Sequence, residues 1–215
     1  MNRIDVYMAD ISKAETNRLI RRYNSLVPGA DNRLAGIRNE KVVKQTAAGE
    51  IMLRALLARR LNIAPGALEI HRTDAGKPYL KAHPGVHFNL THSADMVVCA
   101  LGNIPLGVDI EKIEHARDRV IEKCFCGAEI DAINRAASRD VGFFRLWTMK
   151  EAYLKAEGLG FTVPPKSVDV TCIKSHFFTS ALVDGSYCVS LCARGEYGVF
   201  FHTPRSIEIS DITKK

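Results

Sequence analysis

From Arg38 to Leu61 the apolar residues Val42, Val43, Ile51, Leu53, Leu56, Leu57 and Leu61 recur near helical spacing, with Thr46 and several alanines between them, and predict one long helix. Ahead of it, MNRIDVYMADIS reads as a first strand over about Ile4 to Met8. A charged amphipathic segment follows from Ser12 to Tyr23, and VPGADN breaks the pattern. APGALEIHRTDAGKPYL then reads as a turn, a short strand and a second turn at Gly76-Lys77-Pro78. HFNLTHSADMVVCALGNIPLGVDIEKI divides into three strands at turns near Ser93-Ala94-Asp95 and Gly102-Asn103-Ile104-Pro105. Helical patterns return over about Ala116 to Cys124, Ala128 to Ala137 and Asp140 to Glu157, and strands follow from Val168 onward.

Each half therefore runs strand, helices, strands. That order predicts an α+β fold of two similar α/β lobes in one chain, divided near Asn103 to Pro105 into 1–104 and 105–215. No residue-level repeat marks a duplication.

Composition narrows the class. With 215 residues, 47% apolar and 25% charged, the chain is that of a soluble globular protein able to bury a core in each lobe. The longest apolar runs, such as MVVCALG, fall far short of the roughly 20 residues of a membrane span. The opening residues lack a basic segment followed by an apolar one, so a signal peptide is not expected and a cytoplasmic location is. The six cysteines sit mostly in apolar strands, and only Cys124 and Cys126 are close together, in C-x-C rather than metal-finger spacing. Reduced thiols follow from that distribution. A formal charge of +6 favours anionic partners without naming them. Nucleic acid is not expected, because the basic residues are dispersed and no aromatic platform interleaves with them.

The chemistry starts in PLGVDIEKI. In a strand Leu106, Val108 and Ile110 face one way and Asp109 and Glu111 the other, about 6.5–7 Å apart along the chain. Two acids on one face are either an ordinary solvated surface or a cation site. The second reading has a reason behind it: carboxylates raise each other's pKa, and Lys112 points to the opposite face. Mg²⁺ takes oxygen ligands and keeps waters and substrate phosphates beside one or two carboxylates.

LWTMKEAYLKAEGLGF supplies a second constellation. Glu151 and Lys155 lie four residues apart on one helical stripe, after the only Trp, with glycine at the helix end. This is a surface ion pair, or a carboxylate and an ammonium facing one cleft. Upstream, Gly76-Lys77-Pro78 puts a lysine in a constrained turn, and NLTHS puts Thr91, His92 and Ser93 at a strand end, where hydroxyls and imidazole can donate to an anion. A solvated lysine and a structural histidine are the plain alternatives.

Taken in order, GKP, FNLTHS, GVDIEKI and LWTMKEAYLK resemble the motifs of 4′-phosphopantetheinyl transferases, whose core pattern is G-V/I-D-I/V-E followed by W-x-x-K-E-A/S-x-x-K. The likeness runs from about Thr46 to Phe161 and is to the two-lobed, surfactin-synthetase-activating type rather than the shorter class that builds its site between subunits. It implies a pseudo-dimeric fold and a monomer. It also implies transfer of the 4′-phosphopantetheine arm of coenzyme A to a serine of an acyl or peptidyl carrier protein, with release of 3′,5′-ADP. Fatty-acid, polyketide and nonribosomal peptide carriers are all open.

The same resemblance implies site roles. Asp109, Glu111 and Glu151 would hold Mg²⁺, and Glu151 would take the serine proton directly or through water. Lys155 and His92 would meet the phosphates, with Thr91 and Ser93 beside them. Thr46, with Arg33 or Lys44, and Lys77 would meet the rest of coenzyme A, so that the first lobe binds the coenzyme and the second carries the acids and docks the carrier. Glu129 matches an acid sometimes placed near the nucleophile, Lys150 belongs to the pocket or faces solvent, and Trp147 packs beneath. Thr91-His92-Ser93 stands where the family usually has Ser-His-Ser, which puts a tight hydrogen bond from the β-branched Thr91 in question. In HARDRVIEKCFCGAEIDAINRA, Arg117, Arg119 and Lys123 with Val120, Ile121 and Phe125 are either a docking surface for an acidic carrier or a helix covering its own core. A Mg²⁺-dependent phosphohydrolase would use the same acids and donors.

Overall fold

Two antiparallel sheets of the same topology pack face to face in the computed structural model, which describes residues 2–27, 34–195, 199–201 and 205–208. Strand β1 (Asn2–Asp10) leads to helices α1 (Thr16–Leu26) and α2 (Glu40–Leu61), the hairpin strands β2 (Ile70–Arg72) and β3 (Pro78–Leu80), and strands β4 (His87–Ser93) and β5 (Met96–Gly102). The order then repeats in β6 (Leu106–Lys112), α3 (Asp118–Cys124), α4 (Gly127–Arg135), α5 (Arg139–Glu157), β7 (His176–Val183) and β8 (Tyr187–Arg194). In the first sheet β5 lies between β1 and β4; in the second β8 lies between β6 and β7. The first strand of each lobe thus pairs with the last, and a long helix packs on each sheet. This is the two-lobed α+β architecture that the order of elements predicts and the pseudo-dimeric fold that the resemblance implies, and it becomes visible in strand pairing although no residue repeat announces it.

Two short strands depart from that symmetry. β9 (Val199–Phe201) and β10 (Arg205–Ser206) leave the second lobe and pair parallel with β1 on its free side.

Burial explains the apolar runs. Every residue of β5 is buried. Val97, Cys99 and Leu101 meet Leu53 and Leu57 of α2, while Val98 and Ala100 face Val108 of β6 and Leu191 of β8 across the two sheets. A strand covered on both faces reads as a continuous apolar stretch, as MVVCALG does. β6 is covered differently on its two sides: Leu106, Val108 and Ile110 enter the core between the sheets, and Gly107, Asp109 and Glu111 look towards α5.

Local signals set the helix ends. Asn39 caps α2, its side-chain oxygen accepting from Lys41 N and Val42 N at 2.9 and 3.4 Å. Ser138 caps α5 through Val141 N. At the far end Gly158 takes φ +70°, and Leu159 N donates back to Leu154 O at 3.0 Å, the left-handed stop that the glycine in AEGLG predicts.

One expectation changes. The strands predicted from Val168 begin only at His176. Between them the backbone groups are already engaged by side chains: Lys150 Nζ donates to the carbonyls of Pro165 and Val168, and Val170 N donates to Glu129 Oε1. Those groups are bonded to side chains rather than to a neighbouring strand. The six cysteines are free thiols, and Cys99, Cys188 and Cys192 are buried. No described helix is long and apolar enough to cross a membrane.

Among the described glycines, the closest backbone approach is where α5 crosses β6. A Cβ on Gly107 would stand 2.1 Å from Ala152 O and 2.4 Å from Ala156 N, both helix backbone. Only glycine fits there, and the helix meets it through the small, buried Ala152 and Ala156. Gly107→Ala is expected to destabilise the fold by about 1–3 kcal/mol or more, since the clash is with backbone that cannot rotate away. A fall in the thermal midpoint with loss of divalent-cation binding in the folded fraction is the expected result, and an unchanged midpoint would contradict this packing.

Candidate active site

Three elements meet around a cleft of about 390 Å³ lined by Leu90, Thr91, His92, Asp109, Glu111, Trp147, Glu151 and Lys155. β4 gives the first three, β6 the two acids and α5 the last three. Six of these are residues that the sequence reading selects, drawn from three separate stretches of chain.

The edges of β4 and β6 lie side by side and are joined by side chains. Asn89 Oδ1 accepts from Val108 N at 2.9 Å, Thr91 Oγ1 donates to Asp109 Oδ1 at 3.0 Å, and Ser93 Oγ donates to Glu111 Oε2 at 2.7 Å while accepting from Lys112 N at 3.0 Å. Asn89, Thr91 and Ser93 are two apart, so one face of the strand presents all three. Thr91 keeps the hydrogen bond that its β-branch put in question. Asn89 is the residue that sequence reasoning misses, and the polar N-x-T-x-S alternation inside an otherwise apolar strand is the signal that identifies it.

From α5, Lys155 Nζ reaches Asp109 Oδ1 at 2.5 Å, Thr91 Oγ1 at 3.2 Å and Val108 O at 3.4 Å. Asp109 is only 3% exposed. Its second oxygen, Oδ2, is buried with no hydrogen-bond partner. A buried carboxylate oxygen left bare is costly, and the residue that carries it lines a cleft with two further acids.

Electrostatics follow from that burial. The pKa of Asp109 is raised chiefly by desolvation, against the pull of Lys155 and the hydrogen bond from Thr91. Glu111 is raised by desolvation, with Asp109 and Glu151 adding repulsion, and Glu151 by desolvation and then Asp109. His92, exposed at the cleft mouth, is lowered by desolvation and by the Lys155 charge, which favours a neutral imidazole near pH 7. Three acids share one ammonium, and all their donor atoms are oxygen. That set fits a hard divalent cation such as Mg²⁺, for which the bare Asp109 Oδ2 is the natural first ligand.

Among the described residues, the group that brings three possible ligand atoms within 4.8 Å of one another is Cys126, Glu129 and Asp169, outside the cleft. It is not a vacant cation site, because it already holds a cation. Lys150 Nζ lies 2.8 Å from the Glu129 carboxylate, and both side chains are 0% exposed. Glu129 also accepts from Cys126 N and Val170 N, so its oxygens are used. The expectations that Glu129 stands near a nucleophile and that Lys150 lines the pocket or faces solvent are therefore corrected: the two form a buried pair that ties α4, α5 and the following loop.

Other expected ligands sit elsewhere. Lys77 does not line the cleft; its Nζ donates to Ala156 O and Leu106 O, and burial lowers its pKa to about 8, with Glu157 opposing and Arg194 reinforcing that shift. In this structure its ammonium is taken up by backbone carbonyls rather than turned to the cleft. Thr46 lies on α2, one turn before Gly49 against Leu90, and does not line the cleft. Lys44 Nζ donates to Ser12 O at 3.0 Å. Arg33 lies outside the described residues. Trp147 both lines the cleft and packs, stacked on Phe143 at a centroid distance of 6.3 Å. Ile121 and Phe125 are buried with it, so α3 covers its own core and leaves Arg117, Arg119 and Lys123 exposed.

Comparison with known proteins gives a consistent family. The model described as "4'-phosphopantetheinyl transferase superfamily" matches residues 105–203, and that described as "4'-phosphopantetheinyl transferase, N-terminal" matches residues 12–103. The 4′-phosphopantetheinyl transferase gsp of Aneurinibacillus migulanus is 36% identical over 131 residues, covering 60% of this chain and 54% of that protein. The 4′-phosphopantetheinyl transferase Sfp of Bacillus subtilis (strain 168) is 27% identical over 164 residues, covering 69% and 73%. The L-aminoadipate-semialdehyde dehydrogenase-phosphopantetheinyl transferase of Rattus norvegicus is 28% identical over 186 residues, covering 75% and 60%. The matches to gsp and to a second Bacillus subtilis transferase span 54% and 64% of those relatives' lengths, less than two thirds in each case.

Two outcomes test the electrostatics. Lys150→Ala leaves Glu129 buried and uncompensated and should cost about 3–5 kcal/mol in denaturant unfolding, whereas Lys150→Met combined with Glu129→Leu should cost less than either single change. In the cleft the sign differs. A raised carboxylate pKa means that the folded state binds more protons than the unfolded one, so stability is lost as pH rises through that raised value. Glu151→Gln should therefore raise the thermal midpoint of chelator-treated protein at pH 7, with the gain shrinking as pH falls and the native Glu151 takes up its own proton.

Proposed function

The chain belongs to the 4′-phosphopantetheinyl transferase superfamily, its two family models together reaching from residue 12 to residue 203, and from that premise we propose that it transfers the 4′-phosphopantetheine arm of coenzyme A to a serine hydroxyl of an acyl or peptidyl carrier protein. The observation that carries the reading is the bare, buried Asp109 Oδ2 in a cleft shared with Glu111, Glu151 and Lys155. A site that only bound an anion would have no use for three desolvated acids.

Asp109, Glu111 and Glu151 would hold Mg²⁺, which when bound neutralises the pyrophosphate of the coenzyme and the charge on the departing phosphate. The chain's own groups do the rest. Thr91 and Lys155 fix the Asp109 carboxylate from opposite lobes, and Ser93 fixes Glu111. Lys155 and His92 stand at the cleft to donate to the phosphates, Lys155 as a cation and His92 as a neutral N–H donor. The carrier serine oxygen forms a bond to the phosphorus that bears pantetheine. The phosphoanhydride bond breaks, and 3′,5′-ADP leaves with the electron pair. Glu151 takes the serine proton, directly or through a water. In-line geometry comes from holding both reactants across the two lobes.

The first lobe, through β4 and the face of α2 that carries Thr46, would take the coenzyme, with Arg33 a further candidate. The exposed Arg117, Arg119 and Lys123 on and beside α3 would steer an acidic carrier, since the apolar residues between them are spent on the core. A monomer suffices, because one chain supplies both halves of the site. A cytoplasmic location fits a reaction that uses coenzyme A and a protein whose cysteines are free.

The test is the intact mass of an acidic apo carrier incubated with this protein, coenzyme A and Mg²⁺. A gain of one phosphopantetheine that disappears with a chelator, or when the acceptor serine is changed to Ala, is expected. Asp109→Ala and Glu151→Ala should stay folded and lose at least about 10²-fold in rate, within the range for removing one acid–base group. Hydrolysis of coenzyme A without carrier modification would instead favour a phosphohydrolase.

A further inference from the structure

The turn between β2 and β3 belongs to the first lobe, yet its Lys77 side chain works in the second. The turn is preset by its own bonds: Thr73 N donates to Lys77 O at 3.0 Å, Lys77 N to Thr73 Oγ1 at 3.1 Å, and Gly76 N to Thr73 O at 2.8 Å, with Gly76 at φ +84°. Arg72 adds a bond from its guanidinium to Gly76 O at 2.9 Å. From this rigid base the Lys77 stem crosses Gly158, where an added Cβ would come within 3.1 Å of Lys77 Cδ. The Nζ then donates to Ala156 O in the last turn of α5 and to Leu106 O, 3.4 Å away at the start of β6.

Those two carbonyls belong to the two elements that carry the cleft acids. Ala156 directly follows Lys155, and Leu106 precedes Asp109 by three residues on β6. The carbonyl end of a helix also carries the negative pole of its dipole, so an ammonium there is attracted as well as hydrogen-bonded. The charged and titratable groups facing Lys77 are Glu157 on α5, Arg194 and Cys192 on β8, and His87 on β4. Glu157 is held by Arg194 at 2.8 and 3.0 Å and by His176 Nε2 at 3.0 Å, which keeps it from drawing Lys77 away.

We infer that Lys77 is a positioning residue of the first lobe: by bridging Ala156 O and Leu106 O it fixes α5 against β6 and so sets how Glu151 and Lys155 meet Asp109 and Glu111. It acts on the acids through the two backbones, its ammonium being held by their carbonyls. The inference rests on the transferase reading for its activity readout alone. Its main readout is capture of a divalent cation by the metal-free protein, which needs no turnover.

The experiment compares the full chain with Lys77→Met, which keeps the stem over Gly158 and removes the ammonium. Mn²⁺ binding by electron paramagnetic resonance, coenzyme A binding by calorimetry without metal, and kcat and KM for coenzyme A with an apo carrier are measured at pH 7. Loss of an outer-shell support is expected to weaken Mn²⁺ binding and lower kcat by about tenfold each. Coenzyme A affinity and KM should stay within about twofold, because no ligand contact is removed. Lys77→Arg, which keeps the charge and donors, should recover most of the Mn²⁺ affinity. If Lys77→Met does not fold, Thr73→Val loosens the same turn and should show the same pattern in smaller degree. A parallel loss of coenzyme A affinity with Mn²⁺ binding intact would overturn the inference and return Lys77 to the ligand, and no change in either would overturn it outright. A wild-type protein that binds Mn²⁺ yet modifies no carrier would sink the transferase reading and leave the Lys77 comparison standing.

Discussion

The contact on which the rest depends is the seating of α5 directly on the backbone of β6 at Gly107. Ala152 and Ala156 are four apart and make one face of the helix. Glu151 and Lys155, one position earlier in each turn, therefore flank that contact and are carried to the cleft with it. Backbone-to-backbone approach is stiffer than contact through long side chains, so the height of the helix above the strand is fixed to a fraction of an ångström. The span from the Lys155 Cα to the Asp109 carboxylate is set there rather than by the lysine's own flexible stem.

α5 also separates two lysines only five residues apart into opposite roles. Lys150 turns inward to a glutamate whose every oxygen is engaged, and the result is inert. Lys155 turns to an aspartate with one oxygen engaged and one bare. Both pairs pay the cost of burial, but only the second leaves an unmet demand, and an unmet demand is where a ligand gains most. A buried charge pair is thus no guide to function by itself; the count of satisfied lone pairs is.

Much of this was legible in the sequence because its signals are local. The alternation in PLGVDIEKI put Asp109 and Glu111 on one face, the 3.6-residue period put Glu151 and Lys155 on one stripe, and AEGLG marked the end of the helix. What periodicity could not carry was the third dimension. Lys77 and Lys155 are both basic residues in motifs of one family likeness, yet one ends on carbonyls and the other on a carboxylate, a difference decided by which backbone lies within reach. Glu129 read as a free acid because its partner is 21 residues away on another helix. Val168 to Val170 read as strand because apolar composition cannot reveal that the neighbouring peptide groups are already bonded to Lys150 and Glu129.

The return of β9 and β10 to β1 bears on how the molecule is made. Tyr7 pairs with Cys99 on one side and with Arg205 on the other. β1 thus gains its inner neighbour from within its own lobe and its outer ones only after the whole second lobe has been made. Until then β1 is a bare edge, open to pairing with other chains, and its closure is a long-range event that slows folding. The duplicated lobes look separable on paper, but the polypeptide fastens the first to strands that follow the second, and the first does not close its sheet without them.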